Sequence, residues 1–238
     1  MQKFSLYDLL SVLFPGVIFL YMLDEIRKLF CLLPLCDLTK QWDVILILSV
    51  IFGAVIYVVS FWLVHHWQWL YKFIGIYKHI TQIYNQSDWH KHLGEGLNRR
   101  ANEWYGSDIF LPVEAFNQLP KSEQEVISKK QDEFYDRMYY ELDYLGKLEV
   151  PKAFQSFYLF FRNLFLASLV SALVLVVTYL INLIPALNLA YVDGERFGYL
   201  LALFVVTAAM SVVIARWYRQ RMLHKMYWFF YTHINAQK

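Results

Sequence analysis

Seven histidines are the residues of this chain best suited to metal binding or proton transfer. Five of them fall in one stretch: His65, His66, His79, His90 and His92. Neither cysteine lies near that stretch, and it has no HExxH motif, which would place two zinc-ligating imidazoles on one helix face. Adjacent histidines also point to different faces of a helix. The spacing therefore favours interfacial histidines, and we expect no metal and no cofactor.

Arg219 and His224 have the one spacing in the chain that suggests catalysis. Their separation by four residues resembles the Arg-x4–6-His motif of HEPN ribonucleases, which implies RNA cleavage within a helical bundle. The surrounding segment is basic, with Arg216, Arg219, Arg221 and Lys225. Such a segment after a membrane span commonly meets anionic lipid, each base adding about 1 kcal/mol near the surface. We therefore expect a lipid-facing tail, no enzymatic activity and no direct nucleic-acid binding, with a membrane-bound HEPN-like ribonuclease as an alternative.

Any metal-binding or catalytic residues would be positioned by four long apolar runs. Hydrophobic residues make up 58% of the 238-residue chain and charged residues only 18%. The clearest run, from Val44 to Val64, has no charge and covers about 30 Å as a helix, the thickness of a bilayer's hydrocarbon core. The composition and the four runs predict an all-α integral membrane protein with four transmembrane helices and a helical cytoplasmic insertion between the second and the third. A β-sheet is not expected.

The predicted organisation has eight segments. In chain order they are a first transmembrane helix (1–23), an outside loop (24–43), a second transmembrane helix with a cytoplasmic extension (44–84), a cytoplasmic helical insertion (85–156), a third transmembrane helix (157–184), a second outside loop (185–196), a fourth transmembrane helix (197–216) and a basic cytoplasmic tail (217–238). Within the insertion, residues 85–120 are expected to be irregular because glycines and prolines interrupt them. Ser122 and Glu125 match a capping box for the helix that follows, and Gly146 is its expected end.

The orientation follows from the basic residues, which concentrate in cytoplasmic segments. The segment after Ala215 has five bases and no acid, whereas the 24–43 loop has four acids against three bases. We therefore expect a multi-pass protein of the inner (plasma) membrane with both termini and the insertion in the cytoplasm. Cys31 and Cys36 would then lie outside, where they could form a disulfide or remain as two free thiols.

Asp8 and Arg162 are the charged residues at the edges of the first and third spans. Both fall just inside the ends predicted to be cytoplasmic, so they should lie at similar depth. A structural ion pair between them would explain why the membrane tolerates each. Alternatively, Arg162 extends to a lipid phosphate and Asp8 caps its own helix.

The spans contain no charge at mid-membrane, and ion pumps usually need one. Small residues recur at four-residue spacing, which lets helices approach closely within a subunit or between subunits. The pairs are Ala167 with Ser171, Ser168 with Ala172, Gly198 with Ala202, and Ser211 with Ala215. A polar series in the third span could line a pathway in a ring of copies: Asn163, Ser168, Ser171, Thr178 and Asn182.

The first span, with Tyr7-Asp8-Leu9-Leu10 followed by Phe14-Pro15-Gly16, resembles small multi-span proteins of prokaryotic antiviral defence loci. These include CRISPR-accessory membrane proteins and the membrane subunit of Kiwa-type systems, and Arg162-Asn163-Leu164, at the start of the third span, resembles them too. The resemblance implies an oligomeric anti-phage component. Its cytoplasmic domain would bind a protein partner, and its spans would anchor the complex or perturb the membrane. A channel or transporter subunit unrelated to defence is the alternative.

Overall fold

A computed structural model of the chain describes residues 9–30, 42–67, 88–184 and 194–236. Those ranges are helical and contain no β-strand, so the predicted all-α fold is confirmed. A π-helical turn, Leu9–Leu13, leads into seven α-helices. They are α1 (Phe14–Leu29), α2 (Trp42–His66), α3 (Asp88–Tyr105), α4 (Val113–Gln118), α5 (Lys121–Tyr144), α6 (Glu149–Asn182) and α7 (Gly194–Ala236).

Four helical stretches are long and apolar enough to cross a membrane, as predicted: Leu9–Leu29, Trp42–Val64, Glu149–Asn182 and Gly194–Ile234. Their main-chain polar groups are paired within each helix, which a bilayer requires of any segment that spans it. The chain is therefore a multi-pass helical membrane protein.

The first membrane helix continues to Leu29, whereas a loop was predicted from residue 24. Its last turns are charged but remain helical because the charges pair along the helix. Arg27 and Lys28 both contact the Asp24 carboxylate, at 2.9 and 2.8 Å. Apolar residues on the other side of these turns are buried: Ile26, Leu29 and Phe30. The helical spacing of those apolar residues outweighs the local charge.

The third and fourth membrane helices are also longer than predicted. α6 begins at Glu149 instead of residue 157. α7 continues without a break to Ala236, where a separate tail was predicted from residue 217. The predicted extension of the second span falls mostly on residues 68–84, which lie outside the described residues.

The contacts divide the chain into two compact units, and α6 and α7 contribute residues to both. The membrane unit comprises Met1–Gly75 and Gln155–Tyr218. Among its described residues, the helices pack through two groups of buried apolar residues. One group is Met22, Ile26, Leu29, Phe30, Leu164, Leu175, Leu200 and Phe204, and the other is Phe19, Ile56, Leu166 and Ala167.

The helical unit comprises Ile76–Phe154 and Arg219–Lys238 and has a core of its own. That core joins two parts of the chain that are distant in sequence. The central residues are Leu93, Leu97, Ala101, Ile109, Phe110, Phe134, Met138, Leu142, Leu148, Met222, Leu223, Met226, Tyr227 and Phe230. Phe134 lies at its centre, with ring centroids 5.0 Å from Phe110 and 5.7 Å from Phe230. The end of α7 is therefore a structural element of this unit.

Two sequence predictions within the helical unit are wrong. Residues 85–120 are mostly helical, in α3 and α4, although glycines occur there. Gly96 lies inside α3 where the Tyr231 ring packs against it, and a Cβ at that position would overlap this ring. The capping box is also absent, because α5 begins at Lys121 with Pro120 as its N-cap. The Pro120 carbonyl already accepts the first main-chain hydrogen bonds, from Glu123 and Gln124.

The predicted end of α5 at Gly146 is confirmed. Gly146 has a φ of +65°, which a residue without a Cβ adopts easily. Its N–H donates to the Asp143 carbonyl at 3.0 Å, and the Lys147 N–H donates to the Leu142 carbonyl at 2.9 Å. This pair of bonds is a Schellman motif, which satisfies the last carbonyls of the helix.

Candidate functional site

The membrane unit contains a buried polar centre built around Pro15. In a regular α-helix the Ser11 carbonyl would accept a hydrogen bond from the N–H of residue 15, but proline has none. The chain adopts a π-helical turn at this point. The Asn163 side chain donates from Nδ2 to the Ser11 carbonyl oxygen at 2.6 Å. A side chain of α6 thus supplies the hydrogen bond that the proline removes from the first span.

Arg162 lies beside this contact and is only 4% exposed. Its guanidinium carbon lies 5.5 Å from the Tyr57 ring centroid and 5.9 Å from that of Tyr158, both within the range of cation–π attraction. Its Nε and Nη2 lie 3.4 Å from Asn163 Oδ1. Its predicted partner, Asp8, lies outside the described residues. Arg162 is therefore a buried cation held by aromatic faces and an amide oxygen, and its pairing with Asp8 stays a prediction.

Two glycines whose packing role sequence reasoning did not identify lie at a close helix crossing of the membrane unit. A Cβ on Gly16 would overlap the Ser49 carbonyl oxygen, and a Cβ on Gly53 would overlap the Val12 carbonyl oxygen. The first span and α2 therefore touch backbone to backbone, which only glycine permits. Gly198, which was identified from its spacing with Ala202, has nothing within 4 Å of its Cβ position. The spacing of small residues along one helix does not show whether another helix packs against them.

The predicted polar series of the third span is divided between buried and half-buried positions. Asn163, Ser168 and Ser171 are fully buried, and Ser168 Oγ and Ser171 Oγ have no hydrogen-bond partner within the described ranges. Thr178 instead bonds to its own helix, at the Val174 carbonyl, and Asn182 lies near the end of α6. The inner part of the series is therefore the part that could receive water or a polar ligand.

The basic residues predicted to face lipid all lie on α7. Arg221 is exposed, whereas Arg216, Arg219 and Lys225 are half-buried. Arg219 Nη1 lies 3.7 Å from Met222 Sδ. Arg219 and His224 are five positions apart on one helix, so their side chains leave it about 140° apart. The structure does not bring these two residues together, and their contact with lipid stays a prediction.

Side-chain amides of the helical unit bind the loop between α3 and α4. Asn98 Oδ1 accepts from the main-chain N–H groups of Ile109 and Phe110, and Asn98 Nδ2 donates to the Phe110 carbonyl at 2.9 Å. The buried Gln131 donates from Nε2 to the Ile109 carbonyl at 2.6 Å. These bonds hold Ile109 and Phe110 in the core, so the loop between α3 and α4 is part of the rigid unit.

Two half-buried tyrosines of the helical unit, Tyr105 and Tyr139, have a raised pKa. Burial raises the pKa of Tyr105, an effect that Glu133 adds to and Arg137 opposes. Burial also raises the pKa of Tyr139. The Arg137 guanidinium lies over Tyr105 and over Trp104, at 5.5 Å from each ring centroid. Trp104, Tyr105 and Tyr139 pack against the core of the unit.

Candidate metal ligands are not clustered in the part of the chain that the structure describes, where no group of three or more His, Cys, Asp or Glu residues could hold an ion. His66 stacks on Trp62 with ring centroids 4.7 Å apart. Cys31 and Cys36 lie outside the described residues, so the possible disulfide between them stays a prediction.

The fold and the buried polar centre define a class: all-α proteins with four candidate membrane spans and a separate helical unit. Compared with protein-family models, with curated proteins and with solved structures, the chain matches none.

Proposed function

We propose that this chain is a membrane-embedded binding protein, without enzymatic activity, that acts in a prokaryotic anti-phage defence system. Its spans anchor copies of the chain in the inner membrane, and its helical unit binds a protein partner in the cytoplasm. The observation that carries the proposal is the separate core of the helical unit, built from α3, α5 and the end of α7. A unit with its own core, which shares α6 and α7 with the membrane unit, is suited to holding a partner at the membrane.

The cytoplasmic location is supported by the basic residues of α7 and by the acidic residues near the other ends of the spans. A green fluorescent protein fused after Lys238 would fluoresce only if the carboxyl terminus is cytoplasmic, and alkaline phosphatase fused there would be active only outside. We expect fluorescence and no phosphatase activity. The opposite result would place the helical unit outside and contradict the proposed partner.

The defence setting is supported by the resemblance of the first span and of Arg162-Asn163-Leu164 to membrane proteins of such loci. The hydrogen bond between Asn163 and the Ser11 carbonyl connects the two spans that contain these stretches. Phage plating on cells that carry the natural locus tests the setting. We expect fewer plaques than on cells whose locus has a stop codon at Trp42, and equal plaque numbers would contradict it.

We propose that copies of the chain associate in the membrane and that the basic residues of α7 contact anionic lipid. The exposed face of α7 around Gly198 and Ala202 is open to a neighbouring helix. The mass of the particle in mild detergent tests the association, and we expect a multiple of 28.5 kDa after correction for detergent. A monomer would contradict it.

A channel or transporter subunit unrelated to defence is the second candidate, favoured by the buried hydroxyls of Ser168 and Ser171. Single-channel recording on the purified protein in planar bilayers would detect a pore. Conductance that changes in the Ser168→Ala and Ser171→Ala variants would support a pathway along α6. If the bilayer stays impermeable to ions under every condition, the channel function is contradicted and only the anchoring function remains.

A further inference from the structure

Two serine hydroxyls in the interior of the membrane unit form no hydrogen bond with the helix that carries them. Serine and threonine within an α-helix commonly bond to the carbonyl four residues earlier. Ser49 and Thr207 both do so, at 2.7 Å. Ser168 and Ser171 do not, since neither Oγ has a hydrogen-bond partner in the part of the chain that the structure describes. Both side chains are fully buried, so neither hydroxyl reaches the surface of the unit.

The two serines lie on the side of α6 that packs against other helices. They belong to a stripe that recurs at three- and four-residue spacing along one face of the helix: Leu164, Ser168, Ser171 and Leu175. Leu164 and Leu175 are part of the same buried cluster as Phe204 of α7. The two hydroxyls therefore lie within the packed interior of the membrane unit.

The residues of α7 at the level of the serines are small. Near one end of the helix pair, Tyr179 stacks on Phe197 with ring centroids 4.3 Å apart. Near the other end, Phe161 stacks on Tyr218 with centroids 5.8 Å apart. The two helices are therefore antiparallel, and around the midpoint between these contacts α7 buries Ala208 and Ser211. A polar level lined by small side chains suits a water molecule, which needs space and at least two polar partners.

We infer that Ser168 and Ser171 together bind one water molecule inside the membrane unit. Residues three apart on a helix have Cβ atoms about 5–6 Å apart. A water that bonds to two oxygens at about 2.8 Å each spans up to about 5.6 Å, which matches this spacing. Immobilising one water molecule costs less free energy than leaving two hydroxyls unpaired in an apolar interior. A bound ion is disfavoured, because two neutral hydroxyls do not offset the cost of burying its charge.

Solid-state nuclear magnetic resonance of the full chain in deuterated lipid bilayers tests the site. Magnetisation transferred from water protons identifies the residues that lie against a bound water. We expect water cross-peaks at Ser168 and at Ser171. The matched control is Ser49, a buried serine whose hydroxyl already bonds to its own helix, and no cross-peak is expected there. The absence of a water cross-peak at either Ser168 or Ser171 would overturn the inference.

Substitution of either serine should change the signal of the other, because the two share the water. Ser171→Ala should abolish the water cross-peak of Ser168, and Ser168→Ala should abolish that of Ser171. Each change removes a single oxygen atom, so the packing of the spans is kept. Ser49→Ala should leave both cross-peaks unchanged. A cross-peak at Ser168 that keeps its wild-type intensity in the Ser171→Ala variant would show separate hydration sites and overturn the shared water.

The same spectra distinguish one bound water from a pore. Water cross-peaks that continue along this face of α6 to Leu164 and Leu175 would show a column of water, which overturns the single site and favours the channel function. Cross-peaks confined to the two serines support the inference. Partner binding by the helical unit is measured separately, by co-purification with the tagged chain, so this inference and the proposed function fail independently.

Discussion

Asn163 donates a hydrogen bond of 2.6 Å from its side-chain Nδ2 to the main-chain carbonyl of Ser11, which lies four residues before Pro15. Both residues are completely buried in the membrane unit. Proline cannot supply the N–H that this carbonyl would receive in an α-helix, and an unsatisfied carbonyl is costly where water is absent. The bond therefore ties α6 to the first span at the carbonyl that would bond to residue 15 in a regular α-helix.

The first prediction is that Asn163 and Pro15 are energetically coupled. Asn163→Ala should lower the free energy of unfolding by about 1 kcal/mol, the usual size of such bonds between membrane helices. In a Pro15→Ala background the same change should cost almost nothing, because the alanine introduced there has an N–H that can bond to the Ser11 carbonyl. A double-mutant cycle from denaturant unfolding in detergent micelles measures the coupling. Equal costs in the two backgrounds would show that the bond does not compensate for the proline.

The second prediction concerns the two glycines at the crossing of the first span and α2. Gly16→Ala and Gly53→Ala should each destabilise the membrane unit by about 1–3 kcal/mol, because the added methyl group overlaps a carbonyl oxygen of the facing helix. Gly198→Ala is the matched control, since open space surrounds that position. Thermal unfolding in detergent would rank the three variants, and a loss at Gly198 as large as at Gly53 would contradict the assignment.

The helices of this chain could be predicted because the signal for each is local. A charge-free run such as Val44 to Val64 needs no partner to be recognised as a span. The end of α5 could also be predicted, because a glycine after a helical run commonly adopts the left-handed conformation that Gly146 has here. The beginning of α5 was predicted wrongly, because Ser122 is a favoured N-cap residue, whereas the observed N-cap, Pro120, makes no side-chain cap hydrogen bond that the local sequence could indicate.

The polar centre could be predicted only in part, because its contacts join residues distant in sequence. Arg162 was identified from its position at the edge of a span, but Tyr57 and Tyr158 were not, since nothing in their own segments distinguishes them from other aromatic residues. Gly96 illustrates the same limit: its neighbours suggest a loop, and only Tyr231, far along the chain, explains a glycine within a helix. The membrane spans can be predicted from hydropathy, whereas the contacts between helices depend on the fit of side chains that are distant in sequence.

The third prediction is that Arg162 pairs with Asp8. Removing one partner of a buried ion pair typically costs about 3–5 kcal/mol, because the other charge remains buried and uncompensated. Asp8→Arg and Arg162→Asp should therefore each lower the amount of folded protein in membranes, and the double exchange should restore it. Fluorescence-detected size-exclusion chromatography measures the folded fraction. A double variant no better than either single variant would show that Arg162 has another partner.

The fourth prediction concerns the loop between α3 and α4. Asn98→Ala removes the acceptor for two main-chain N–H groups and the donor to one carbonyl, all at the edge of the core. We expect a loss of about 2 kcal/mol or more from the helical unit. Asn102→Ala, which removes an exposed contact with Asp108, should cost little. Hydrogen exchange of the amides at Ile109 and Phe110 would locate the effect, and unchanged protection there in Asn98→Ala would contradict it.

The last prediction is that the helical unit loses stability above pH 10. Burial raises the pKa of Tyr105 and of Tyr139 above the ordinary value of 10.0, so the folded unit favours the protonated phenols. Their contribution is complete below the pKa of the unfolded chain and is lost as the pH rises through the higher folded values. Replacing both with phenylalanine should flatten this alkaline loss, and Tyr144→Phe, a change to an exposed ring, is the control. Urea unfolding followed by circular dichroism from about pH 8 to about pH 11 measures it, and a double variant with the wild-type slope would assign the loss to other groups.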